Sequence, residues 1–227
     1  MNKAGIRSIA VQSVLIVLGF VILFASAGTL NWLNCWIYVV LISVSQAVSW
    51  MVLARVNPEL LDARGTLAKK DTKGFDRAWI VLYPVLGFGN LIVIGFDAVR
   101  FQWSSMPLWP AFIGIAVFIP AMAIATWAMC VNKYFEWTAR IQEDRGQQVC
   151  TDFPYSLVRH PGYLAMMVSQ LSYPLILGSW WGYVVVILMC VVLVARTYLE
   201  DRMLQQELPG YKEYSQRVRY RLVPGVW

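Results

Sequence analysis

QEDRGQQVCTDFPYSLVRHPGY, from Gln142 to Tyr163, is the longest polar passage in a chain built mostly of apolar runs. It holds the only histidine, His160, between Arg159 and Pro161, and it stops against the apolar run 162–177. A polar passage that breaks off where an apolar segment begins reads as the mouth of a site held by membrane helices.

Its surroundings decide the fold class. The 227 residues are 59% hydrophobic and only 14% charged, where a soluble domain carries roughly 25% charged residues. The mean hydropathy is +0.55. Crossing ~30 Å of hydrocarbon takes about 20 apolar residues. Six segments reach or approach that length: 8–27, 32–54, 78–96, 108–131, 162–177 and 180–196. The fifth is short, and is expected to tilt or to form a tight hairpin with the sixth. The predicted fold is therefore an all-α integral membrane protein of about six transmembrane helices.

Orientation follows from charge. With both termini in the cytosol, every one of the 19 basic residues except Arg100 falls on the cytosolic side, which is the bias that orients multi-spanning chains. Lys69, Lys70 and Lys73 lie in a cytosolic connector, 55–77, whose Asn57-Pro58 is expected to end the second helix. The connector reads as a positive anchor or as a lid over the site. The formal charge of +6 answers to anionic headgroups, without nucleic acid. Ala25-Ser26-Ala27 resembles a signal-peptidase site, but the preceding run is longer than an ordinary signal core. Residues 1–131 are expected to form a scaffold and 132–227 the catalytic part.

Several classes are disfavoured. No span carries an ionisable residue near its middle, where pumps and proton relays place theirs. Cys35, Cys130, Cys150 and Cys190 are scattered, so neither a disulfide framework nor a metal site is expected. Gly87-Phe88-Gly89 lacks the strand–turn–helix setting of a nucleotide fingerprint, and fits close helix packing better.

The chemistry gathers in two places. Residues 135–151 read as a short extended or hairpin-like passage. After it, Pro161 suits the first turn of a helix, whose backbone N–H groups beside Arg159 and His160 would receive an anion. Beyond the last span, Arg196 and Glu200 stand four apart on one helix face, followed by Asp201. Downstream, Leu204, Leu208, Tyr211, Tyr214 and Val218 recur at helical spacing around Pro209-Gly210, as two interfacial helices would.

The passage Val158-Arg159-His160-Pro161-Gly162-Tyr163, the R-x-x-x-E-D from Arg196 to Asp201, and the close from Tyr211 to Trp227 occur in that order. Together they resemble the integral-membrane isoprenylcysteine carboxyl methyltransferases, and more broadly the group that includes phospholipid methyltransferases. The resemblance covers about 135–227. Phe153 stands where such families usually carry glycine, the second acid is Asp201 rather than glutamate, and Ala165 replaces a frequent glycine. The resemblance implies an S-adenosylmethionine-dependent enzyme with its pocket on the cytosolic face and a lipophilic acceptor drawn from the bilayer. It implies Tyr155, Arg159, His160, Pro161, Tyr163, Glu200 and Asp201 as cofactor residues, with Arg196 and Glu200 catalytic. Arg196 is expected to hold an acceptor carboxylate in line for transfer. Trp180 and Trp181 are candidate aromatic walls, though their place on the outer side suits an interfacial belt. Two other readings stay open: a non-enzymatic membrane module or neutral-solute carrier, and a membrane reductase using NADPH.

Overall fold

A computed structural model describes residues 1–66, 69 and 71–227; Lys70, counted above with the cytosolic bases, lies outside the described residues, as do two positions of the connector. The described residues form helices and irregular loops, with no strand among them. Five helices are long and apolar enough to cross a membrane. They are α1 (Lys3–Ala27), α2 (Leu33–Val56), α4 (Gly74–Gly95, continued by a π-helical turn Phe96–Arg100), α5 (Trp109–Val131) and α7 (Gly182–Glu207). The short helix α3 (Pro58–Ala63) follows α2, α6 (Pro161–Leu177) precedes α7, and α8 (Tyr211–Arg217) closes the helical part.

The boundaries have local causes. Asn2 caps α1 by accepting from the N–H groups of Ala4 and Gly5, and its own N–H donates to Asp62 Oδ1 at 2.8 Å. Gly28, at φ 75°, ends α1 in a left-handed conformation that glycine adopts without steric cost. As expected, α2 stops before Asn57-Pro58, but Pro58 then opens α3 instead of a loop. At 17 residues α6 is roughly 25 Å long, short of a full crossing. It folds back on α7 through the turn at Gly178, at φ 81°. The short fifth apolar run is thus half of a hairpin.

Because lipid is as apolar as leucine, membrane helices associate by close packing and by polar ties. Both are present. A Cβ on Gly114 would run into Ile176, so α5 and α6 lie against each other along a small-residue seam. Asn34 Nδ2 donates to the Ile176 carbonyl at 2.9 Å, and Asn57 Nδ2 to the Met129 carbonyl at 2.8 Å. The core between α1, α2, α4, α5 and α6 is apolar, with Leu23, Tyr38, Ile94, Phe118 and Ile176 buried together. Val14, Val40, Val184 and Val191 face outward.

Two expectations change. The passage 132–160 forms no hairpin; its one regular element is a 3-10 turn, Glu143–Arg145, and side-chain bonds shape the rest. Only one separate helix, α8, follows the last span, because α7 runs unbroken to Glu207 and so includes Leu204. Carrying the helix past the apolar stretch places Arg196, Glu200 and Asp201 on one rigid rod.

Candidate active site

Asp201 is the most heavily bonded side chain of the polar end. It is fully buried on α7, and Arg159 reaches it through both Nε (2.7 Å) and Nη2 (3.0 Å). Arg221 Nε (2.8 Å), Gln205 Nε2 (2.8 Å) and the Tyr211 hydroxyl (3.0 Å) donate to it as well. His160 Nε2 lies 3.4 Å from Oδ1. Arg159 is equally committed, since its Nη1 donates to the carbonyls of Val218 and Arg219, both at 2.8 Å. The backbone N–H groups of Arg159 and His160 donate to Tyr220 and Arg221, at 2.9 Å each. The arginine–histidine motif therefore fastens the C-terminal tail to α7.

Glu200, one residue earlier, is different. It is half-buried, and its one hydrogen bond among the described residues comes from the Tyr163 hydroxyl, 2.6 Å from Oε2. Tyr163 in turn receives Arg196 Nη1 at 2.6 Å. Arg196 Nε donates to the fully buried Asp76 at 2.6 Å, its Nη2 to the Trp137 carbonyl at 2.9 Å, and its plane lies 3.8 Å over the Trp79 ring. Each nitrogen of Arg196 is thus occupied by protein. The chain Asp76–Arg196–Tyr163–Glu200 links the start of α4 to α7 through α6.

A cavity of about 80 Å³ opens beside these groups. Tyr155, Arg159, His160, Tyr163 and Glu200 line it, with Asn132, Phe135 and Gln148 from the polar passage and Leu204, Tyr211 and Tyr214 from the C-terminal part. Tyr155 is buried; its hydroxyl accepts from Asn132 Nδ2 at 3.0 Å and its carbonyl from the Tyr214 hydroxyl at 2.7 Å. Burial pushes the Tyr155 and Tyr214 phenols well up, so both are neutral donors. His160 stacks on Tyr163, with ring centroids 5.5 Å apart.

The start of α6 is poorer in donors than the sequence suggests. Pro161 has no N–H, while Tyr163 and Leu164 donate to the His160 carbonyl at 3.1 Å each. Gly162 is packed so tightly that a Cβ would overlap the Phe135 ring.

A lattice of ion pairs roofs the cavity. Arg140, buried, pairs with Glu136 (3.2 Å), Asp71 (2.8 Å) and Asp144 (2.7 Å). Lys69 also holds Glu136 at 2.8 Å, and the Ala139 N–H donates to Asp76 at 2.6 Å. The connector is in this way laced to the polar passage. Hydrogen bonds from Arg140 hold Asp71 and Asp144 below the ordinary carboxylate range.

Residues 109–209 match the family model described as phospholipid methyltransferase. Over that segment the chain is similar to the phospholipid methyltransferases. The match takes in α5, the polar passage, α6 and α7, which are the elements that build the cavity. No curated protein matches the chain. Beside that match stand five helices long and apolar enough to cross a membrane.

Of the residues named from sequence, Tyr155, Arg159, His160, Tyr163 and Glu200 come together at the cavity. Pro161 opens α6, Asp201 lies beneath as a binding hub, and Arg196 stands behind Tyr163. Trp180 and Trp181 are exposed at the far end of α7 and have no part in the site. Sequence reading missed Asp76, Glu136, Arg140 and Tyr211. Only Asp76 had a visible signal, an acid set at the threshold of an apolar span.

Proposed function

We propose that this protein is a membrane methyltransferase that uses S-adenosylmethionine, bound at the cytosolic face in the cavity beside Glu200, and methylates a lipophilic acceptor that enters from the bilayer. Residues 132–227 would form the catalytic part on the scaffold of 1–131. The observation that carries the reading is the contrast between two adjacent carboxylates: Asp201 is saturated by buried donors, while Glu200 presents an oxygen without a partner to the cavity.

The lining suits the cofactor chemically. An ammonium group finds Glu200, and the aromatic faces of Tyr155, Tyr211 and Tyr214 suit a sulfonium and a flat base. A carboxylate finds His160 at the cavity wall, with Arg159 behind it contributing charge while its nitrogens are held by Asp201 and the Val218 and Arg219 carbonyls. When bound, S-adenosylmethionine supplies an electrophilic methyl group. The protein's part is alignment, which can lower a transfer barrier by several kcal/mol. Arg196 acts here as a positioning residue: anchored on Asp76 and Trp79, it orients the Tyr163 hydroxyl, which orients Glu200. An ionised acceptor, such as the carboxylate of a prenylated cysteine or a similar lipid-like molecule, needs no general base, in keeping with a site whose one histidine is tied up beside Asp201.

Calorimetry on the full chain in nanodiscs tests this. S-adenosylhomocysteine should bind the wild type and bind more weakly to Glu200→Gln and His160→Ala. Absence of wild-type binding in nanodiscs and in several detergents would sink the proposal, and binding of NADPH in its place would favour a reductase.

A further inference from the structure

Buried charge at the polar end does not balance. Arg64, Arg140, Arg159 and Arg196 are buried there, against Asp76, Glu136 and Asp201. Arg196 takes Asp76, Arg140 takes Glu136, and Arg159 takes Asp201. Arg64 remains, with no carboxylate in ion-pair range among the described residues. Glu136, the nearest acid to act on it, already serves Lys69, Arg140 and Arg145.

What surrounds Arg64 is soft and apolar. Its guanidinium lies 4.0 Å from the centroid of the Trp137 ring and 5.6 Å from that of Phe135. Nη1 rests on the Met129 sulfur at 2.9 Å, a weak acceptor, and Nε is buried with no partner. Burial lowers its pKa to about 10, so it stays charged at neutral pH. A buried ion left without a counter-charge is strongly unfavourable, and one cation–π contact offsets only part of that.

We propose that Arg64 is an anion-binding residue of the acceptor site, taking the carboxylate or phosphate of an amphiphile delivered from the bilayer; assigning that anion to the acceptor rests on the methyltransferase reading above. Three placements support it. Arg64 does not line the cofactor cavity, being separated from it by Phe135, which does. Trp137 carries Arg64 on its ring and accepts Arg196 at its carbonyl, so the unpaired charge stands next to the relay that ends on Glu200. At the end of α3, Arg64 adjoins the buried apolar cluster of Leu53 from α2, Leu60 and Leu61 from α3 and Met129 from α5, so its surroundings on that side are apolar. Arg64 is also outside the family-matched segment, so the feature belongs to this chain's scaffold.

The test uses the full chain in phosphatidylcholine nanodiscs, with dodecanoate, dodecyl phosphate and the neutral dodecanol as probes. One or both anions should raise the wild-type Tm while dodecanol does not, and the larger shift tells carboxylate from phosphate. Arg64→Met should weaken the anion's apparent affinity at least about tenfold, Arg64→Lys should recover part of it, and S-adenosylhomocysteine binding should be unchanged. Without ligand, Arg64→Met should melt at or above the wild-type temperature, because it removes an unpaired charge. Equal anion shifts in wild type and Arg64→Met, an equal response to dodecanol, or a loss of fold in Arg64→Met would overturn the proposal. If the anion response holds while no S-adenosylhomocysteine binds, Arg64 is an anion site and the methyltransferase reading is what fails.

Discussion

Asp201→Asn and Glu200→Gln each change one atom of neighbouring residues, yet they should have opposite consequences. Asp201 is fully buried and holds Arg159, Arg221, Gln205, Tyr211 and His160 around one carboxylate. Replacing it by an amide turns one acceptor oxygen into a donor facing guanidinium groups. Breaking one member of a buried pair costs about 3–5 kcal/mol. For a chain of this size each kcal/mol moves Tm by about 2–4 °C, so a fall of roughly 6–20 °C is expected. Glu200 holds one hydrogen bond, to Tyr163, which a glutamine can still accept. Its replacement should leave Tm nearly unchanged while weakening S-adenosylhomocysteine binding, by the loss of a charge facing an ammonium. Intrinsic tryptophan fluorescence, from 11 tryptophans, reads unfolding in nanodiscs, and calorimetry reads binding. An Asp201→Asn protein that melts with the wild type would refute the hub argument. Equal binding losses in both variants without any change in Tm would refute the division of labour.

The helix start offers a packing test. Gly162→Ala pushes a methyl group into the Phe135 ring and should cost about 1–3 kcal/mol, seen as a lower Tm; an unchanged Tm would mean that Phe135 is free to move aside. A pH test bears on the roof. Asp71 and Asp144 have their folded pKa values lowered by Arg140, so their contribution is present above the ordinary carboxylate pKa and is lost as pH falls through the lowered values. Hydrogen exchange across residues 71–76 and 136–145 should lose protection over the pH interval below the ordinary carboxylate value of about 4. Since both acids are exposed the effect should be modest, and protection that stays flat over that interval would count against the clamp.

Much of the fold was readable because the bilayer sets a strict length scale. Apart from the last run, which stops at 196 while α7 continues to Glu207, the termini of the apolar runs match the helices within about five residues, and Asn57-Pro58 does end α2. The shortness of 162–177 left a tilted span or a hairpin open, and the turn at Gly178 makes it the hairpin of α6 with α7. The polar passage was less legible. Without a backbone ladder, its shape rests on pairings such as Tyr134 with Gln142 and Arg140 with Asp71, which leave no period in the sequence.

From sequence alone came the membrane class, the family resemblance and the convergence of Arg159-His160 with Arg196–Asp201, because hydropathy and motif order are properties of single segments. What each group does there was decided only by the tertiary structure. The partners lie far apart along the chain: Asp76 meets Arg196 across 120 residues, and Arg159 meets Asp201 across 42. Whether a charge is spent on a neighbour or left to face a ligand depends on who fills the space around it. That is why two adjacent carboxylates that look alike in the sequence differ in the fold, and why Arg64, an ordinary connector residue when read in order, emerges as the one buried arginine of that end with no counter-charge among the described residues.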